Sequence, residues 1–386
     1  MTRGEFDLTP ERVVLPITVF VLVAAALARL RRSEGFDIAL ACIAWVMIAT
    51  LEGLGIAGLP QLLGALLPML VLIPLLGSDQ REFVQQPRVP AIIVFVSMGA
   101  AASRLVLGEV NWLVHDGDAR LAGSFVEPNV LGAVLASCML WLACLERRTR
   151  TTWIALGLGV LGLILSGSRG PWIGLAGGLA WIGWQQRRLL RANLRPLALA
   201  AALGVIVVSA ALLPMLDRLH SIRSRLTLWN IAWSDVERRP FFGNGANSFQ
   251  ILHPEASALV GSSNDHDLWI SSLPLAILHD FGLVGLVLFG ALLTAPLFDL
   301  AMPRRLLGVR AAVVVLLVSS LFTTQHATAL FWLIIAASYG AAPIALHPTP
   351  EPAGPGPVTE SNSGMPGEQT TVTPPDVEPR PPGSGA

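Results

Sequence analysis

Between Val13 and Leu346 the chain alternates long apolar runs with short polar connectors. A helix crosses a hydrocarbon core with about 20 apolar residues, roughly 17 to 25 being tolerated. The pattern predicts spans at 13–30, 38–57, 61–77, 89–107, 129–145, 153–167, 170–184, 196–214, 281–299, 311–327 and 329–346. It describes an all-α polytopic membrane protein of about 11 (10–12) transmembrane helices with one large extracytoplasmic loop. Short cytoplasmic connectors are enriched in basic residues. Here they are Arg29 to Arg32, then 145–150, 185–195 and 302–310, and eleven spans with an outside N-terminus put all four in the cytoplasm.

The stretch from Trp153 to Trp184 carries a charge at its midpoint, Arg169. As one helix it would reach about 48 Å, against a core of about 30 Å. Both flanks are basic, so it must be a hairpin. Ser166 to Pro171 form the outer turn, broken by Gly and Pro, with Arg169 within or just below the outer interface.

Composition agrees. The 386 residues are 53% hydrophobic and 13% charged, with a mean hydropathy of +0.62, where soluble domains carry about 25% charged residues. Formal net charge is zero, so the overall balance asks for no nucleic acid partner. Cys42, Cys138 and Cys144 lie in predicted spans without Cys/His spacing, which indicates neither a disulfide framework nor zinc. The N-terminal run is read as an uncleaved first helix, because Glu5, Asp7 and Glu11 offset the Arg residues before it.

The chain divides into N-terminal spans (1–107), a central region (108–300) containing the outer loop 215–267, C-terminal spans (301–346) and a tail (347–386). The tail is rich in Pro, Gly, Ser and Thr and reads as disordered and cytoplasmic. A loop of about fifty residues is long for a connector and suggests function.

Within that loop Leu226, Trp229, Trp233 and Val236 form one helical stripe, with Ser224 as an expected N-cap. Such a helix is expected to lie on the membrane surface, aromatic face down. Arg223 and Arg225 then flank an N-terminus that itself favours an anion, either a phosphate or lipid headgroups. The run Phe241 to Phe249 ends the helix with an Asn-Gly turn around Gly243 and Gly245, which lets backbone approach something closely. It is no dinucleotide fingerprint, because no strand precedes it. His266 stands at the outer edge, where an imidazole can take a proton from a hydroxyl or serve no role. His115, His220 and His253 sit among ordinary loop residues, and His279 lies in an apolar run. No histidine spacing indicates a metal. Arg120 faces outward with nothing obvious to neutralise it, and Pro128-Asn129 open the fifth span.

Taken together, these segments resemble the O-antigen ligase and polymerase superfamily of bacterial membrane glycosyltransferases. One motif is carried by Arg120, Gly123, Ser124, Phe125, Pro128 and Asn129, and a second by Ser168, Arg169, Gly170, Pro171 and Trp172. A third is carried by Arg225, Trp229, Pro240, Gly243, Gly245 and Phe249, and a fourth by His266, Trp269, Gly282 and Gly285. Asp267 replaces the commoner Asn after the histidine. The resemblance covers about 118 to 300.

It implies a lipid-sugar (GT-C-like) glycosyltransferase architecture in the cytoplasmic membrane, with its site facing the periplasm or cell exterior. The implied donor is a glycan on undecaprenyl pyrophosphate, and the acceptor a glycan, lipid or protein hydroxyl. No cofactor, obligatory metal or nucleotide sugar is implied. Guanidinium groups can stabilise the departing pyrophosphate, a role expected of Arg120, Arg169, Arg223 and Arg225. His266 is the expected general base, with Gly123, Asn129, Ser168, Gly170, Trp229, Gly243 and Gly245 shaping the site. Two alternatives stay open: an anionic lipid or glycan transporter, or a peptidoglycan-type polymerase using Asp235 or Asp265.

Overall fold

The computed structural model describes residues 34–70, 76, 86–106, 114–115, 118–122, 125, 127–145, 148–186, 219–256, 270–298, 306–323 and 328–339. The predicted spans 13–30 and 196–214, the tail 347–386, Gly123 and His266 lie outside these residues.

The regular elements among the described residues are helices apart from one pair of two-residue strands, β1 (Val114–His115) and β2 (Asp118–Ala119), which the sequence reading did not anticipate. Helices α1 (Glu34–Leu54) and α2 (Leu59–Met69) are separated by a 3₁₀ turn at Gly55–Gly58. There follow α3 (Arg88–Val106), α4 (Pro128–Ala143), α5 (Arg150–Ser166), α6 (Arg169–Gln185), α7 (Leu219–Arg238), α8 (Phe249–Leu252), α9 (Leu273–Phe298), α10 (Leu307–Ser319) and α11 (Ala329–Tyr339). Each of the other nine predicted spans thus meets a helix. Two stretches, Gly35–Met69 and Leu273–Phe298, are long and apolar enough to cross a membrane by themselves, and the other apolar helices are shorter.

The hairpin at Arg169 forms as its punctuation requires. α5 opens on a capping box between Thr149 and Thr152 and closes on Gly167, at φ 57°. Ser168 is the N-cap of α6, and Pro171 sits in its first turn, where a missing N–H costs nothing. α6 then packs against α10 through Gly174 and Gly178. A Cβ at Gly174 would come within 2.7 Å of the Val315 carbonyl oxygen, and one at Gly178 within 3.1 Å of that of Ala311. Small residues four apart let backbones approach closely where no hydrophobic drive separates protein from lipid.

A second core lies between α1, α9, α10 and α11, where Phe281 stacks on Phe289, and Phe289 and Phe331 both meet Trp332. The helix ends sort into two sets. At one end Leu121 N–H donates to the Leu165 carbonyl (3.0 Å) and Leu273 N–H to that of Ser320 (2.8 Å), so the starts of α4 and α9 meet the turns after α5 and α10. At the other, Gly308 packs on Trp141 and Cys144, and Gly35 on Tyr339. Those pairings are the antiparallel alternation that the basic connectors predict.

Two expectations need correction. α7 starts at Leu219, so Ser224 is not its cap, and Arg223 and Arg225 lie one to two turns inside the helix. No residue from Leu219 to Ser224 breaks a helix, and Thr227 Oγ1 donates to the Arg223 carbonyl (3.0 Å). The buried face is Leu228, Ala232, Asp235 and Val236, whereas Leu226 and Trp233 are exposed. The predicted stripe therefore mixes two faces. The ninth span begins at Leu273 rather than 281, and is interrupted at Gly282, whose φ of 66° is outside any right-handed helix.

Candidate functional site

Two polar networks sit at the loop-bearing end of the bundle. The first joins the two arginine motifs. Arg120 is buried rather than outward and unneutralised: its Nε donates to the Ser166 carbonyl (3.0 Å), and its Nη2 donates to Ser168 Oγ (3.0 Å) and Asn129 Oδ1 (3.3 Å). One guanidinium fork thereby fixes the turn that presents Arg169. Asn129 in turn donates through Nδ2 to Glu127 Oε1 (2.6 Å), and Thr323 Oγ1 donates to Glu127 Oε2 (3.0 Å). Pro128 and Asn129 open α4, so the motif both starts a helix and wires it to the hairpin.

The same segment after α10 receives α7. Arg225 Nη1 donates to the Phe322 carbonyl (3.2 Å). Gly170 faces Phe322 and the Ser319 carbonyl, and Ser319 Oγ reaches the Gly170 carbonyl at 3.4 Å. Arg120, Asn129, Ser168, Gly170 and Arg225 are thus brought together around 319–323, with half-buried Arg169 as the first residue of α6 beside them. Arg223 is exposed on α7. Trp229 is half-buried over the apolar cluster under α7, its indole N–H buried without an acceptor among the described residues. Glu127, Phe322 and Thr323 were not anticipated. A carboxylate one residue before the Pro-Asn pair was the available signal.

The second network was missed. Asp235, on the buried face of α7, is met by two imidazoles: His253 Nε2 at 2.5 Å from Oδ2, and His279 Nε2 at 3.3 Å from the same oxygen. His279 is fully buried, and its Nδ1 lies 2.8 Å from Asp280 Oδ1. A ring facing a carboxylate on each side donates from both nitrogens in its protonated form. Asp280 also accepts from the Asn247 N–H (2.8 Å) and from Ser248 Oγ (3.5 Å). Phe249 packs its ring on both histidines. The sequence offered two signals: an Asp on the apolar side of a helix, and an ionisable pair inside an apolar run, where such residues are costly and usually functional.

The glycine turn is what makes this network possible. Asn244 N–H and Nδ2 both donate to the His279 carbonyl (2.9 and 3.1 Å), Gly245 N–H donates to that of Asp280 (2.8 Å), and Leu283 N–H to that of Pro240 (2.8 Å). Those carbonyls and that N–H are the backbone groups orphaned where α9 breaks at Gly282, so the turn replaces the missing helical bonds. A Cβ at Gly243 would lie 2.5 Å from the Asp280 carbonyl. The close approach expected of Gly243 and Gly245 is therefore to the helix break, and on the other side to α1, where Ala246 N–H donates to Thr50 Oγ1 (3.1 Å).

Among the described residues no group of His, Cys, Asp and Glu is arranged to hold a metal ion. Fold and site together define a helical, largely apolar bundle in which the Arg120 network and the Asp235–His253–His279 cluster both lie at the loop-bearing end.

Over residues 153–290 the chain matches the family described as O-antigen ligase, and that match supports the O-antigen ligase superfamily. The matched stretch holds the Arg169 turn, α7, the glycine turn and the broken half of α9; the Arg120 motif precedes it. The family implies a glycosyltransferase-type enzyme of the O-antigen ligase or polymerase kind in the bacterial inner membrane. No curated protein matches the chain.

Proposed function

We propose that this protein moves a glycan from a polyprenyl (undecaprenyl) pyrophosphate to an acceptor hydroxyl on the outer side of the cytoplasmic membrane, as a ligase or a repeat-unit polymerase. The observation that carries the reading is the meeting of the Arg120–Ser168 turn and Arg225 at one short segment, 319–323. The motifs of Arg120 and Arg225 are far apart in the chain, and their hydrogen-bonded neighbours meet on that segment, which supports one shared anion site. Loss of a lipid pyrophosphate develops negative charge beside the bilayer, and preorganised guanidinium groups stabilise it as it forms. Arg169, Arg223 and Arg225 hold the leaving group, and Arg120 joins them through the turn it fixes. His266 takes the acceptor proton by the motif that carries the resemblance, and attack opposite the departing pyrophosphate inverts the anomeric centre.

The test is transfer by purified protein in vesicles supplied with lipid-linked repeat units. R169A and H266A should insert normally and transfer nothing; retained transfer removes the assigned roles. Chain growth on lipid-linked units alone identifies a polymerase, and a requirement for a separate acceptor identifies a ligase.

One observation favours transport as a second reading: α9 is discontinuous and carries His279 and Asp280 at its break, as substrate paths in transporters often do. Here those polar groups are engaged by α7 and the glycine turn. Passage of a labelled lipid-linked glycan across the vesicle without a new glycosidic bond would establish that reading instead.

A further inference from the structure

We propose that the apolar groove between α9 and the end of α10 holds the pyrophosphate-proximal isoprene units of the donor's polyprenyl chain. The inference rests on the glycan-transfer reading above. It gives a place to the part of the donor that the four motifs leave unassigned, since none of their residues lines this groove.

The groove has a volume of about 440 Å³ and is partly open to its surroundings. Residues from both sides of the break at Gly282 line it: Leu273 and Ile277 before, Leu286, Gly290 and Leu293 after, with Leu317 of α10 opposite. The space exists partly because Gly290 has no side chain, and a Cβ there would meet nothing within 4 Å.

Its walls suit hydrocarbon and little else. The two lining hydroxyls are satisfied inside their own helices, Thr294 Oγ1 donating to the Gly290 carbonyl (2.7 Å) and Ser320 Oγ to that of Leu316 (2.6 Å). In the first turn of α9, Leu273 N–H donates to the Ser320 carbonyl (2.8 Å), and Pro274 has no N–H to offer. A sugar or phosphate in this groove would give up water without gaining a donor, at a cost. A hydrocarbon chain gives up nothing.

Position supplies the occupant. Ser320 belongs to the 319–323 segment, on which Arg225 and Glu127 also converge and whose Ser319 Oγ reaches the Gly170 carbonyl. From there the lining continues to Leu293, next to Leu292, whose carbonyl accepts from Tyr339 Oη at the opposite end of the bundle. The groove thus leads from the anion site into the depth of the bundle. A polyprenyl pyrophosphate carries both chemistries on one molecule, so a chain whose pyrophosphate is held at 319–323 begins beside the groove's mouth. Bulk lipid is as apolar as these walls, so selection comes from packing and shape and not from burial.

The experiment uses unaltered full-length protein, G290F and the control G157F in phospholipid vesicles. Gly157 also faces open space, on α5 and away from the groove. The probe is undecaprenyl pyrophosphate with a photoreactive diazirine in its pyrophosphate-proximal isoprene units, and labelled residues are mapped by mass spectrometry. The expected label falls on α9 between Leu286 and Thr294 or on Leu317, and excess unlabelled undecaprenyl pyrophosphate competes it away. In G290F labelling drops at least about tenfold, and the KM for lipid-linked repeat units rises by a similar factor. Its kcat is retained, a split that misfolding does not give, and G157F matches the unaltered protein. Label confined to other helices overturns the assignment. So does label in the groove that the unlabelled compound cannot displace, which would mark ordinary lipid tails there, or an unchanged donor KM in G290F. Those outcomes leave the transfer reading intact. No transfer by the unaltered protein overturns both.

Discussion

Arg120 Nη2 donates to Ser168 Oγ across 3.0 Å, joining residues 48 apart in the chain. The bond ties the strand pair and the start of α4 to the α5–α6 turn, and Arg120 Nε completes it on the Ser166 carbonyl. Arg120 is therefore the support of the turn that displays Arg169, whatever else its remaining edge contacts.

Arg120 should be irreplaceable by lysine. Bonds to a charged group contribute about 1.5 to 3 kcal/mol each, and an ammonium cannot reproduce a planar fork. R120A and R120K should both lower the thermal midpoint in detergent and abolish transfer. Equal stability of R120K and the unaltered protein would show that the fork is dispensable.

Substitution at Gly282 should damage the protein far more than at Gly290, in the same helix. Gly282 is at positive φ, and a Cβ there would overlap the Phe241 carbonyl, whereas at Gly290 a Cβ meets open space. G282A should cost upwards of about 2 kcal/mol and G290A almost nothing. Thermal unfolding of the pair measures the difference.

At the α6–α10 contact, G178V should destabilise by about 1 to 3 kcal/mol through overpacking. G157V, where nothing lies within 4 Å, is the matched control. Indistinguishable stabilities would mean that these helices do not pack as described.

His279 should couple strongly to Asp280. H279A leaves two carboxylates buried without their shared imidazole, a loss of about 3 to 5 kcal/mol. Removing one of those charges as well, in H279A/D280N, should recover part of it. A double-mutant cycle on unfolding free energies gives the coupling, and strict additivity would deny the contact.

Topology can be read by labelling. In a chain lacking native cysteines, E255C should react with a membrane-impermeant maleimide in intact cells, and R148C only after permeabilisation. Both positions are exposed, so access depends on the side of the membrane. The reverse pattern would invert the proposed orientation.

Apolar periodicity and arginine placement determined the helices and their alternation, because a bilayer demands long apolar stretches with satisfied backbones. Gly167, Ser168 and Pro171 likewise declared the α5–α6 turn by their own backbone preferences. The helical stripe of α7 was misjudged because Leu226 and Trp233 are apolar yet exposed, and hydrophobicity alone cannot tell a core-facing residue from one facing lipid. The partners of Arg120, the break in α9 healed by Asn244 and Gly245, and the meeting of Asp235 with His253 and His279 were decided by tertiary structure alone. Such contacts join residues 18 to 48 positions apart. No local periodicity encodes them; they exist because packed helices bring buried polar groups within reach of one another, where leaving any of them unpaired is costly.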